Sequence, residues 1–146
     1  MLRGNHTARI DDKGRLKIPT PFRRLLEERY GLLLYITSLT GECARIYPMP
    51  EWTAIENRLL ALPVMDPARR KFLDRTNYYG QEAEMDTQGR VLIPYQLRSK
   101  AEMLGDVAVL GYLNYLEVWS LERFEARLAA DPFTDDDAAA LARLGI

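Results

Sequence analysis

Two aspartates each stand four residues ahead of an arginine, with a glycine between: Asp11 with Gly14 and Arg15, and Asp86 with Gly89 and Arg90. A carboxylate at that spacing can hold the guanidinium in a charge-assisted hydrogen bond and can also accept from the amides of a tight turn. The glycine supplies the positive φ that such a turn between twisted strands requires. Two readings stand side by side. Either each aspartate and arginine stabilises its own turn, or the arginine, placed at the rim of a hairpin by its aspartate, probes an anionic partner.

The other reactive residue types offer little. His6 is the only histidine and has acidic neighbours in Asp11 and Asp12, but no nucleophile or convergent set accompanies it, so it reads as a strand residue. No catalytic residues and no enzymatic activity are expected. The single cysteine, Cys43, excludes an intrachain disulfide and a cysteine-based zinc site, and reads as a small half-buried residue. No metal-ligand or nucleotide motif stands out, so no metal, cofactor or small-molecule substrate is expected.

The aspartate–arginine pairs belong to a longer phrase that the chain contains twice, at Ile10–Pro19 and Met85–Pro94, offset by 75 residues. Shared between the copies is apolar-Asp-x-x-Gly-Arg-apolar-x-Ile-Pro. A second echo, Ile46–Trp52 against Val118–Phe124 at an offset of 72, extends the duplication beyond the motif. The 146 residues therefore divide into two similar units of about 70 residues, each marginal alone, and the halves should share a core or assemble further.

The elements that must position the motifs follow the same grammar twice. His6–Ile10 alternates as a strand, Asp11–Gly14 is its turn, and Leu16 and Ile18 alternate with Arg15 and Lys17 on a strand returning to form a hairpin. Thr20-Pro21 opens a helix with the threonine as its cap, and Gly31 closes it. Strands follow at Leu32–Thr37 and Ala44–Tyr47. A connector carries one helix with Trp52, Ile55, Leu59 and Leu62 on its apolar face and a second starting at Asp66-Pro67. The second unit has strands at Gln81–Met85 and Arg90–Ile93, a helix from Tyr95 to about Leu104 ended by Gly105, and strands at Asp106–Gly111 and Leu116–Trp119. A helix bearing Leu121, Phe124 and Leu128 follows, then a solvated acidic segment with Asp135, Asp136 and Asp137 in the first turn of a final helix. The class is α+β, divided into a first repeat at 1–50, a helical connector at 51–80, a second repeat at 81–124 and an acidic helical tail at 125–146. Tyr47, Trp52, Trp119 and Phe124 fall at matching places and should be repeated core or interface anchors.

Hydrophobic content of 47% and charged content of 28% suit a soluble globular protein, and no run approaches the roughly 20 apolar residues of a membrane span. The start lacks the apolar core of a signal peptide, so the cytoplasm is expected. A net charge of −1 hides an uneven distribution. Through Leu26, the bases Arg3, Arg9, Lys13, Arg15, Lys17, Arg23 and Arg24 face only Asp11 and Asp12, whereas from Glu117 onward seven acids outnumber three arginines. Folding does not need the excess in the first repeat; polyanion binding explains it. The run Arg69-Arg70-Lys71 reads instead as the solvated face of a connector helix.

These residues resemble the MraZ family of bacterial transcriptional regulators, associated with the division and cell-wall gene cluster and related to AbrB-type DNA-binding proteins. The resemblance is nearly chain-long. It rests on Arg3-Gly4-Asn5-His6, on Asp11-Asp12-Lys13-Gly14-Arg15-Leu16 with Ile18-Pro19, on Tyr47-Pro48-Met49-Pro50-Glu51-Trp52, and on Asp86 with Arg90. It implies two tandem AbrB-like swapped-hairpin half-barrels pairing into one pseudo-symmetric β-barrel with flanking helices. It also implies a ring-shaped homo-oligomer and a nucleoid-associated repressor that binds short direct repeats of double-stranded DNA in its own promoter. On this view Arg15 and Arg90 contact DNA while Asp11, Gly14, Asp86 and Gly89 position them. Lys13 and Arg15 are the expected reading head, with Arg3, Arg9 and Lys17 on phosphates. Thr87-Gln88 replace Asp12-Lys13 in the second copy, which should chiefly complete the barrel. An AbrB-like antitoxin and an oligomeric protein-binding scaffold are the alternatives.

Overall fold

Short apolar alternations punctuated by Pro19, Pro48, Pro63 and Pro94 leave the chain few places to put its elements, and most fall where the pattern predicts. The computed structural model describes residues 1–146. In chain order the elements are β1 (Asn5–Arg9), β2 (Arg15–Lys17), α1 (Thr20–Arg29), β3 (Leu33–Thr37), β4 (Ala44–Pro48), α2 (Met49–Leu60), α3 (Pro67–Tyr78), β5 (Gln81–Glu84), β6 (Arg90–Leu92), α4 (Tyr95–Lys100), β7 (Asp106–Gly111), β8 (Leu116–Ser120), α5 (Leu121–Ala130) and α6 (Asp135–Arg143).

The fold is mixed α+β, with one six-stranded antiparallel sheet in the order β1-β7-β8-β4-β3-β5 and a separate two-stranded ribbon, β2-β6. Exchanging each strand for its counterpart in the other repeat reverses the sheet order and reproduces it. A pseudo-dyad therefore passes between β8 and β4 and through the ribbon. On that axis Arg45 pairs with Glu117 across the sheet, and Leu16 pairs with Val91 across the ribbon.

The hairpin expected between β1 and β2 is not a paired hairpin. Only the bridge Ile10–Leu16 joins the two arms, while β1 pairs along its length with β7 and β2 with β6. A three-residue strand cannot bury its apolar side within its own hairpin. Pairing across the repeats lets Leu16, Ile18, Val91 and Ile93 enter one core, each no more than 2% exposed. At roughly 1.5–3 kcal/mol per buried side chain, this shared burial outweighs local pairing. The ladder is open at β1 and β5, so the strands do not close into a single hydrogen-bonded barrel.

The core draws equally on equivalent positions of the two units, with Phe22 and Leu26 of α1 matched by Leu97 and Ala101 of α4. Tyr47 packs on Trp52 at 5.0 Å and Trp119 on Phe124 at 5.6 Å, so the repeated aromatics do the same work in both halves. Asp66 caps α3 by accepting from the Arg69 amide at 2.9 Å.

Three boundaries differ from the expected ones. Thr20 is the first residue of α1, and Pro19 stands before it with no side-chain cap. Leu62 lies beyond α2, which ends at Leu60, and is 45% exposed. α4 stops at Lys100 because the chain turns at Glu102, where φ is 54°, and the Met103 and Glu102 amides close back on the Arg98 and Ser99 carbonyls. Burial of Met103 in the core secures this stop.

No helix is long and apolar enough to cross a membrane.

Candidate functional site

The two aspartate turns have the same local geometry. Asp11 Oδ1 accepts from the Lys13 amide at 3.0 Å and the Arg15 amide at 2.9 Å, and Oδ2 accepts from Arg15 Nε at 2.9 Å. Asp86 repeats this with the Gln88 amide at 2.8 Å, the Arg90 amide at 2.9 Å and Arg90 Nε at 2.9 Å. Gly14 and Gly89 carry φ of 84° and 73°, and the amide of each donates to the carbonyl of its aspartate. These bonds hold both carboxyls below the usual aspartate range, the arginine amide contributing most, with the guanidinium and the following turn amide adding to it.

Each aspartate thus stabilises its own turn and also fixes its arginine by Nε. Fixing Nε aims the arginine without consuming it, since the two Nη groups of Arg15 and Arg90 make no hydrogen bond within the protein.

Each turn is also continued by the other repeat. The Ile18 amide donates to the Gly89 carbonyl and the Ile93 amide to the Gly14 carbonyl, both at 2.9 Å. These bonds extend the β2–β6 ribbon at both ends. Because Leu16 and Val91 point inward, alternation sends Arg15, Lys17, Arg90 and Leu92 outward on one face. Arg15 and Arg90 lie diagonally across the ribbon, about two residues or 7 Å apart along it. Lys17 stands directly opposite Arg90. The two strands themselves place no carboxylate on that face, which Asp11 and Asp86 reach only from the turns, and like charges paired across strands oppose sheet stability.

The remaining predicted residues scatter. Lys13 is exposed at the tip of the first turn, near Arg15. Arg9 forms an exposed ion pair with Asp106 at 2.9 Å, and shares a shallow surface cleft with Lys17. Arg3 is exposed at the far end of β1, beside Gly111, roughly 25 Å along the strand from the first turn. It does not join the ribbon face.

Arg69 and Arg70 are engaged locally, Arg69 with the Leu59 carbonyl and Arg70 with Asp74, as a connector face would be. His6 packs edge-on against Phe22. Cys43 is buried, and burial with Glu117 nearby pushes its thiol up to about 12.

Sequence reasoning missed Arg23 and Arg98. Arg23 Nη2 donates to the Thr87 carbonyl at 2.9 Å, and Arg98 lies against Gly14, so each touches the turn of the other repeat. The signal was present, because these arginines are themselves 75 residues apart.

The family model of the MraZ protein, described as antitoxin-like, matches residues 1–75 and 80–144, which include both turns and the whole ribbon. The chain belongs to the MraZ family. It is 51% identical over 146 residues to the transcriptional regulator MraZ of Acidobacterium capsulatum, with all of both chains covered. Identity to the protein of the same name from Koribacter versatilis is 50% over 147 residues, again at full coverage of both. The MraZ of Syntrophobacter fumaroxidans is 40% identical over 130 residues, covering 89% of this chain and 86% of that one.

Proposed function

We propose that this chain is a sequence-specific DNA-binding transcriptional repressor of the division and cell-wall gene cluster, binding short direct repeats in its own promoter. One observation carries the reading: the β2–β6 ribbon gathers Arg15, Arg90 and Lys17 on one outward face to which its own strands add no carboxylate, and the motif aspartates, reaching in from the turns, engage the guanidinium groups through Nε and leave both Nη groups free. A two-stranded ribbon fits a major groove about 12 Å wide, and the free Nη groups of Arg15 match the O6 and N7 acceptors of guanine. Lys13 flanks that contact and Lys17 neutralises phosphate. The relatives' name, transcriptional regulator, supports the assignment.

In this reading the two repeats are AbrB-like swapped-hairpin halves, spanning 1–50 and 81–124. The protein works in the cytoplasm, associated with the nucleoid. Self-assembly into a ring would repeat the ribbon and multiply weak contacts through avidity. Support for assembly comes from apolar surface left unpartnered in the monomer: Leu62, Val64 and Met65 between α2 and α3, and Leu128, Phe133 and Leu144 along the C-terminal helices, none of which has a buried residue.

The experiment is binding to a promoter duplex with solution mass measured in parallel. An oligomer should bind two direct repeats far more tightly than one, and inserting half a helical turn between them should remove most of that gain. Monomeric mass, or affinity indifferent to the insertion, would refute simultaneous engagement.

A further inference from the structure

The two turns are not held alike. Arg23 on α1 and Arg98 on α4 are equivalent residues, and each crosses to the turn glycine of the other repeat. A Cβ at Gly89 would meet Arg23 Cδ at 2.6 Å, and a Cβ at Gly14 would overlap the Arg98 guanidinium at Nη1 and Cζ. Arg23 is drawn aside by its own carboxylate, donating from Nε to Glu27 at 2.9 Å, one helical turn along α1. Glu102 is the equivalent of Glu27, but α4 has already ended, and Glu102 sits in the left-handed cap position at φ 54°. Arg98 therefore pairs with no carboxylate. Its whole guanidinium lies over Gly14, donating to the Ile93 carbonyl, while the Ile93 amide donates to the Gly14 carbonyl. Tyr95 backs it with a ring centroid 5.6 Å from Cζ. A cleft of about 380 Å³ opens on the outer side, lined by Asp11, Asp12, Tyr95 and Arg98.

We infer that Arg98 is a positioning residue for the first reading turn, supplied across the pseudo-dyad by the second repeat. By closing the ring Gly14–Ile93–Arg98 it fixes the backbone between Lys13 and Arg15, and hence the direction in which Arg15 leaves the turn. The second repeat thereby contributes to recognition without its own turn having to read a base. This inference rests on the DNA-binding reading above. The packing is specific to a planar guanidinium: a lysine keeps the charge but cannot both bond Ile93 and lie flat on glycine.

The test measures full-length wild type, Arg98→Lys, Arg98→Gln and Arg15→Ala against a promoter duplex and a scrambled duplex by fluorescence anisotropy over a salt series. If Arg98 acts through Arg15, both Arg98 variants lower the promoter-to-scrambled affinity ratio roughly tenfold, the order expected for losing one aligned base contact. Their affinity for scrambled DNA and their salt slope stay close to wild type, because Arg98 neutralises no phosphate. A generally loosened fold would weaken both duplexes together, and that result overturns the assignment. So does full retention of the ratio by Arg98→Lys, which would make Arg98 a charge and not a positioner. A ratio lost in Arg15→Ala but kept in both Arg98 variants overturns this inference alone. Absence of any promoter preference in wild type removes the DNA-binding reading and this inference with it.

Discussion

Replacing Gly14 with alanine separates two costs that the structure keeps apart elsewhere. The first is conformational: at φ 84° a side chain enters the left-handed region, at about 1–2 kcal/mol. The second is displacement of Arg98, whose guanidinium occupies the space of the new methyl group. A hydrogen bond from a charged group contributes about 1.5–3 kcal/mol net, and partial exposure of Arg98 reduces this to about 1–2 kcal/mol. Gly14→Ala should therefore cost about 2–4 kcal/mol, or roughly 5–15 °C in thermal midpoint for a chain of this size. Gly31 provides the control, since its φ is 94° and a Cβ there meets nothing within 4 Å. Gly31→Ala should cost the conformational part alone, about 1–2 kcal/mol. The assay is urea denaturation at fixed protein concentration, read as midpoint shifts at constant slope. In an Arg98→Ala background the cost of Gly14→Ala should fall to that of Gly31→Ala. If Gly14→Ala costs no more than Gly31→Ala in the wild-type background, Arg98 does not clamp the first turn.

Lys17→Gln should weaken binding about equally on all DNA sequences and reduce the salt slope by roughly one; an unchanged slope takes Lys17 off the phosphates. The lowered pKa of Asp11 and Asp86 means that their turn bonds contribute fully above the ordinary aspartate value and are lost only as pH falls through the lower, folded value. Carboxyl-carbon NMR should give both residues midpoints below 3.8, and a midpoint at or above that would contradict the hydrogen bonds from the turn amides to the two carboxylates. With its thiol buried and pushed up to about 12, Cys43 should resist iodoacetamide at neutral pH until urea unfolds the chain. Rapid labelling of the native protein would show that the segment leading into β4 opens readily.

The duplication made much of the fold legible. An offset of 75 residues marks both turns, both inward pairs Leu16–Val91 and Ile18–Ile93, and the helix residues Phe22 and Leu97 that cover them. Alternation and proline placement locate the strands because those signals are local. Pairing is not local. Nothing in His6–Pro19 states whether β2 returns to β1 or crosses to β6; the choice follows from core area that exists only once both repeats are present. The end of α4 was hidden for a related reason: an unremarkable Glu102 takes the left-handed cap because Met103 is pulled into the core. The spacing and charge of Arg15, Arg90 and Lys17 point to one another in the sequence, and the ribbon places them on one face. Arg3 shows the limit of that signal, since a basic segment in sequence is not one surface when β1 carries Arg3 to the far end from the turn, while Arg9 stays beside Lys17. Arg98 escaped because its role depends on a contact across the dyad.

DNA reading by the ribbon is tested most directly by protection of the DNA upstream of this chain's own gene, comparing wild type with Arg15→Ala at matched folding by circular dichroism. Wild type should give regularly spaced protection over short direct repeats, and Arg15→Ala should lose it, with about 1–3 kcal/mol of discrimination removed per repeat. Equal protection by the two proteins, or none by wild type at moderate salt, would contradict it.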